Sequence, residues 1–203
     1  MPTADPAPSS RLGVMGGTFD PIHVGHLILA ETARQQLKLD KVRFIPAGDP
    51  WRKVGREITP AQQRLAMTWI ATQDNEAFEV DDCEIRREGP TYTAVTLQEI
   101  KEKLPPEDEL FFLAGEDALA DLPNWHNPTA IFEAAYFVVA PREGDWTESS
   151  GIVPSDRLLR LDMPYIGISA TRLRELAREG LSLRYQVPEV VDAYIRKQGL
   201  YAG

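Results

Sequence analysis

Three features of the sequence predict an α/β protein built on a doubly wound parallel sheet. Short apolar runs of strand length alternate along the 203 residues with longer segments of helical periodicity, the pattern of strand–helix–strand units. One run, Leu110-Phe111-Phe112-Leu113, is apolar at every position, as a strand covered on both faces must be. Glycines and polar residues gather where these runs end, and open parallel sheets bind their ligands beyond those strand ends. The length suits one sizeable domain, with no internal repeat and no second core. That domain is expected over residues 11–203, after a disordered tail at 1–10 rich in Pro, Ala and Ser.

In chain order, residues 12–15 have the length and flanks of a buried strand, which stops at Gly16-Gly17. Asp20-Pro21 reads as a helix cap followed by a first-turn proline, with the apolar-periodic segment running from Leu27 to about Gln36. Residues 42–46 form a second strand, and 47–59 a loop carrying Trp51, Arg52 and Lys53. Residues 60–72 have helical spacing that makes Leu65, Trp69 and Ile70 the core contacts. Residues 78–85 mix apolar and acidic side chains, as a strand near a sheet edge would. After Gly89-Pro90 breaks the chain, 91–104 returns to helical periodicity. The strand at 109–114 ends at Gly115-Glu116-Asp117, and Asn127-Pro128 opens a helix to about Ala135. A further strand spans 136–140, a loop 141–157, a last strand 158–163, and helices 169–179 and 188–198 complete the chain.

The formal charge of −9 argues against a general nucleic-acid binder, which needs a basic face. It also requires that any anionic substrate be met by a local basic cluster, helix dipoles or a metal ion. The lone cysteine, Cys83, cannot form an internal disulfide and fits a reducing cytoplasm. No apolar run has the length of a membrane span, and the first ten residues lack the charged and apolar regions of a signal peptide.

The chemistry concentrates in two places. Gly16-Gly17-Thr18 joins a strand to a helix start, where unpaired N–H groups and the helix dipole favour an anion. His23 and His26 lie three positions apart, so their rings face one side and can both donate to one polyphosphate, while Gly25 leaves room for a nucleobase or phosphate against the backbone. A metal pair or two solvated histidines are the alternatives, and the preceding strand and turn favour the phosphate. At Ile168-Ser169-Ala170-Thr171-Arg172-Leu173-Arg174, Ser169 is a natural cap, Thr171 can donate to an anion, and Arg174 follows one turn on. Taken alone this is a plain capped helix with a basic side. No Ser-His-Asp or Cys-His arrangement points to a covalent enzyme intermediate.

Gly16-Gly17-Thr18-Phe19-Asp20-Pro21-Ile22-His23-Val24-Gly25-His26 resembles the signature of adenylyl- and cytidylyltransferases with a Rossmann-like nucleotidyltransferase fold, and more narrowly that of the nicotinate-nucleotide adenylyltransferase family. The resemblance runs from about Leu12 to Tyr201. It implies that Gly16, Gly17, Thr18, Phe19 and Gly25 bind ATP, and that His23, His26 and Arg174 act on the reacting phosphates. The segment 168–174 is similar to the family's Ile-Ser-Ser-Thr-x-x-Arg grip on the leaving phosphates; Ala170 replaces the second serine, while Ser169 and Thr171 remain. Gly115 and Asp117 then belong to the ATP ribose, with Glu116 where the family often has a small residue. Lys53, or equally Arg52, stands for the family's loop lysine and faces a phosphate. Tyr92 and Thr93 resemble the Tyr-Thr-x-x-Thr-Leu segment that shapes the nicotinate-ribose pocket, and Trp125 a tryptophan that stacks on the pyridine ring. Arg142 is a weaker candidate near the adenine. The implied reaction moves AMP from ATP to nicotinate mononucleotide and releases pyrophosphate, with Mg²⁺ riding on the ATP phosphates rather than in a protein metal site. A pantetheine-phosphate adenylyltransferase, a cytidylyltransferase and a non-catalytic nucleotide sensor are the rival readings. The implied partners are small molecules, with no nucleic acid and no membrane, in a monomer or a homo-oligomer.

Overall fold

The computed structural model describes residues 9–50, 58–141 and 151–202. Its elements are β1 (Arg11–Gly17), α1 (Val24–Gln36), β2 (Lys41–Pro46), α2 (Ala61–Thr72), β3 (Phe78–Val80), α3 (Cys83–Arg86), α4 (Thr93–Lys103), β4 (Glu109–Gly115), α5 (Glu116–Asp121), α6 (Pro128–Ala134), β5 (Tyr136–Ala140), β6 (Leu158–Arg160), α7 (Ala170–Arg178) and α8 (Glu189–Gln198). The six strands form one sheet in the order β3-β2-β1-β4-β5-β6, parallel throughout. The order reverses between β1 and β4, so a crevice opens there beyond the strand ends.

Period-two alternation decides which residues meet which helices. In β4, Leu110, Phe112 and Ala114 pack with Leu97 of α4, Leu119 of α5 and Ile131 of α6. Phe111 and Leu113 point to the other face, with Ala30 of α1, Met67 of α2, Leu173 of α7 and Val191 of α8. The apolar residues thus form two layers, both resting on one sheet, and the chain is the doubly wound single domain that the sequence predicts.

Several local expectations need correction. Asp20-Pro21 neither caps nor opens a helix: α1 begins at Val24 with His23 in extended geometry as its N-cap. On α2 the buried stripe is Arg64, Met67, Thr68, Ala71 and Thr72; Ile70 packs against the core as expected, while Trp69 is 60% exposed and Leu65 is only half-buried. A buried arginine displaces the apparent apolar face, because its guanidinium finds hydrogen-bond partners inside. The expected strand at 78–85 is three residues long, and Asp82 then precedes α3. Cys83 stays a free, half-buried thiol. The last strand ends at Arg160 rather than 163. Trp51, Arg52, Lys53 and Arg142 lie outside the described residues, as do most of the 141–157 loop and the first eight residues of the tail.

Candidate active site

A cavity of about 520 Å³ opens at the ends of β1 and β4, and Gly16, Gly17, Thr18, His26, Gly115 and Trp125 are among its lining residues. The turn after β1 is unusual in its backbone. Phe19 takes a φ of 50°, a conformation costly for a bulky residue. Its ring is buried and meets the His26 ring edge-on at 5.1 Å, so it supports the imidazole from inside.

The two histidines are stacked, with ring centroids 3.7 Å apart, on one side of the helix start as their spacing predicts. They are not equivalent. His26 lines the cavity, while His23 is buried. The His23 N–H donates to His26 Nδ1 at 3.2 Å, which leaves Nε2 to carry the proton of the neutral His26 ring. Among the described residues no partner accepts from or donates to His23 Nδ1. Of the first amides of α1, Val24 donates to Gln186 O and His26 to His23 O, both at 3.0 Å. A Cβ on Gly25 would sit 3.1 Å from His23 Nδ1 and 3.4 Å from Ile166. The glycine therefore makes room for the protein's own ring and loop.

Burial lowers the His23 pKa to about 4. Burial first, and then the neighbouring His23, hold His26 well below the usual 6.5. Rings depressed in this way are neutral in the folded chain and take up protons on unfolding, so stability rises with pH between about 4 and 6.5. This contribution is complete above that window and is lost as the pH falls through it. Urea unfolding at pH 7 and pH 5 is expected to show an acid loss to which His23 contributes about 2 kcal/mol, and the loss will shrink in His23→Gln. An equal loss in the variant would mean that His23 already carries its proton when folded.

Helix α7 meets the turn after β1. Ser169 caps α7 by accepting from Arg172 N at 3.2 Å. Arg174 Nη1 donates to Asp20 O at 2.7 Å, and Nη2 reaches Thr171 Oγ1 at 3.5 Å. Asp20, read from sequence as a cap, is instead a buried junction: its carboxylate accepts from Tyr201 Oη at 2.7 Å and from the Thr59 N–H at 3.3 Å. The turn after β1, the start of α7, the approach to α2 and the C-terminal segment are thereby joined.

On the far side of the cavity, Tyr92 caps α4 and Thr93 begins it, and both line the space. The Tyr92 ring stacks on His126 at 4.2 Å. Trp125 is half-buried, donates from Nε1 to Asp121 Oδ2 at 3.2 Å, and stands edge-on to Phe112. Gly115 ends β4 at the cavity, whereas Asp117 is exposed on α5 and outside the lining. Lys53 falls outside the described residues.

Sequence reasoning missed three residues here. His126 lines the cavity and is the stacking partner of Tyr92. Glu84 also lines it, buried, with its pKa raised by that burial and its carboxylate accepting from Thr96 Oγ1 at 2.7 Å. It sat in a stretch of mixed apolar and acidic side chains that reads as an edge strand. Arg64 lies beneath the turns that border the cavity, and its signal was a charge at a core position of an amphipathic stripe. Among the described residues no group of three or more His, Cys, Asp or Glu is placed to hold a metal ion.

A cavity over the reversal point of this sheet, bordered by a glycine turn and the starts of α1 and α4, defines an α/β nucleotide-binding protein. Residues 14–176 match the cytidylyltransferase-like family. The chain is 47% identical to the "probable nicotinate-nucleotide adenylyltransferase" of Thermomicrobium roseum, covering 95% of this chain and 92% of that one. Its identity to the protein of the same description from Acidothermus cellulolyticus is 42%, over 95% and 94% of the two chains. The fold is shared with Plasmodium falciparum nicotinic acid mononucleotide adenylyltransferase complexed with NaAD, at a TM-score of 0.79 and 18% identity over 95% and 97% of the chains. The chain belongs to the cytidylyltransferase-like family, among its nicotinate-nucleotide adenylyltransferases.

Proposed function

We propose that this nucleotidyltransferase moves the AMP unit of ATP onto the phosphate of nicotinate mononucleotide, giving nicotinate adenine dinucleotide and pyrophosphate for NAD biosynthesis. The observation that carries the reading is the 2.7 Å bond from Arg174 of α7 to Asp20 O, which ties α7 to the turn that leads from β1 into α1. One triphosphate can then touch the His26 side and the α7 side together.

The nucleophile is a phosphate oxygen ionised at neutral pH, so no general base is required. Attack on the α-phosphorus forms one P–O bond and breaks the bond to the β-phosphate oxygen, and the electron pair leaves on pyrophosphate. The obstacle is the gathering of negative charge, which fixed donors offset best where water is excluded. In this reading His26 Nε2–H and the Gly25 N–H face the reacting phosphate, with Gly16, Gly17 and Thr18 lining its approach. His23 holds the His26 ring. Ser169, Thr171 and Arg174 receive the leaving phosphates, Gly115 and Asp117 the ribose, and Lys53 a phosphate. ATP brings its divalent cation, Mg²⁺, as part of the substrate. Tyr92, Thr93 and Trp125 form the mononucleotide side, and amides at the start of α4 suit a carboxylate. The free thiol of Cys83, and the lack of any described helix long and apolar enough to cross a membrane, support a place in the cytoplasm.

The test is direct. Purified protein with Mg²⁺-ATP is expected to release pyrophosphate with nicotinate mononucleotide, and faster than with its amide analogue. Silence with every mononucleotide would end the reading. Trp125→Ala is expected to weaken mononucleotide binding by about 1 kcal/mol, roughly fivefold, while ATP binding stays within twofold. Equal losses for both ligands would move the acceptor pocket elsewhere.

A further inference from the structure

Arg64 is 1% exposed, and its guanidinium is spent on main-chain carbonyls. Nε donates to Thr59 O at 2.9 Å, Nη1 to Thr18 O at 2.7 Å, and Nη2 to Ala47 O at 2.6 Å and Gly48 O at 3.1 Å. These four oxygens belong to three separate stretches: the turn after β1, the turn after β2, and the approach to α2. Thr18 and Ala47 also line the cavity. The two turns are tied to each other by the Ala47 N–H, which donates to Gly17 O at 2.8 Å. Behind them there is no slack, since a Cβ on Gly48 would fall 2.1 Å from Glu84 O.

Space filling does not account for this residue. Burying a cation is costly, and an apolar side chain of similar volume fills such a site as well or better. What an apolar side chain lacks is a planar fork that fixes several acceptors at set distances and directions. We propose that Arg64 is a positioning residue for adenylyl transfer: it holds the Thr18 turn against the Ala47-Gly48 turn, and so sets the His26 side of the cavity at the spacing one triphosphate needs. The kinetic part of this proposal rests on the adenylyltransferase reading. The mechanical part does not.

Arg64→Lys keeps the charge and loses the fork. It is expected to lower kcat by about 10²-fold, the scale of a misplacement of about 1 Å, while KM for ATP and for the mononucleotide stays within about threefold. Assays are run well below the variant's Tm. Hydrogen exchange should rise at residues 17–19 and 47–49 and stay unchanged in β5 and α8. A general rise in exchange, with normal kcat per folded molecule, would overturn the proposal, because a purely structural arginine predicts that result. Normal kcat with normal local exchange would overturn it too, by showing that charge alone suffices. Where Arg64→Lys does not fold, exchange on the wild-type chain decides: the two turns are expected to open in one event, and separate opening free energies would overturn the linkage. A wild-type chain that releases no pyrophosphate would fail the enzymatic reading and leave the exchange outcome to stand by itself.

Discussion

His26→Ala is expected to lower kcat by about 10²–10³-fold, the usual cost of removing one donor to the charge that builds up in a transition state. The reason lies in how the ring is committed. Its Nδ1 is occupied by the His23 N–H at 3.2 Å, so the neutral ring presents Nε2–H from a residue that lines the cavity. A neutral donor suits this task, because burial keeps the ring from charging before substrate arrives. The same substitution removes a helix-capping acceptor, which costs about 1 kcal/mol of stability. Two readouts separate these effects: steady-state kcat with saturating ATP and mononucleotide, and a thermal melt of the same preparation. A large kcat loss with a melting point lowered by a few degrees is the expected pair. Unchanged turnover would take the imidazole out of the mechanism.

Arg174→Ala is expected to lower kcat/KM for ATP by about 10²-fold and to weaken inhibition by pyrophosphate comparably. The guanidinium reaches Asp20 O with one nitrogen and Thr171 Oγ1 with another, so it is aligned by the turn after β1 and by the start of α7 at once. Arg174→Lys should recover little, since a point charge on a flexible stem cannot keep a two-point geometry. Because Arg174 is only half-buried, folding should be little affected, and circular dichroism will check that. Normal ATP and pyrophosphate kinetics in Arg174→Ala would show that α7 does not hold the leaving phosphates.

Both predictions depend on positions that could be read from the sequence, and the limits of that reading are physical. The uninterrupted Leu110-Phe111-Phe112-Leu113 run could only be a strand covered on both sides, and it lies beside β1 and β5 in the middle of the sheet. The His23-Val24-Gly25-His26 spacing brought the rings together because a helix's N-cap residue and the residue three positions on meet across the first turn, where the His23 N–H donates to His26 Nδ1. Trp69 and Arg64 failed together. Apolar weight suggested one stripe of α2, while a guanidinium satisfied by four carbonyls claimed the other. Residues 78–85 failed for a related reason: their mixed pattern suits an edge strand, and nothing local shows that Glu84 is buried until Thr96, twelve positions on, supplies its partner.

Local pattern by itself determined the alternation of strands and helices, the glycine turn, the capped start of α7 and the pairing of the imidazoles, because each depends on neighbours a few residues apart. Only the tertiary structure decided the rest: that Arg174 reaches Asp20 across 154 positions, that Tyr201 closes on the same residue, and that Arg64 belongs inside. Those choices depend on which carbonyls and carboxylates a polar group meets once the sheet has closed, and no periodicity along the chain encodes such partners.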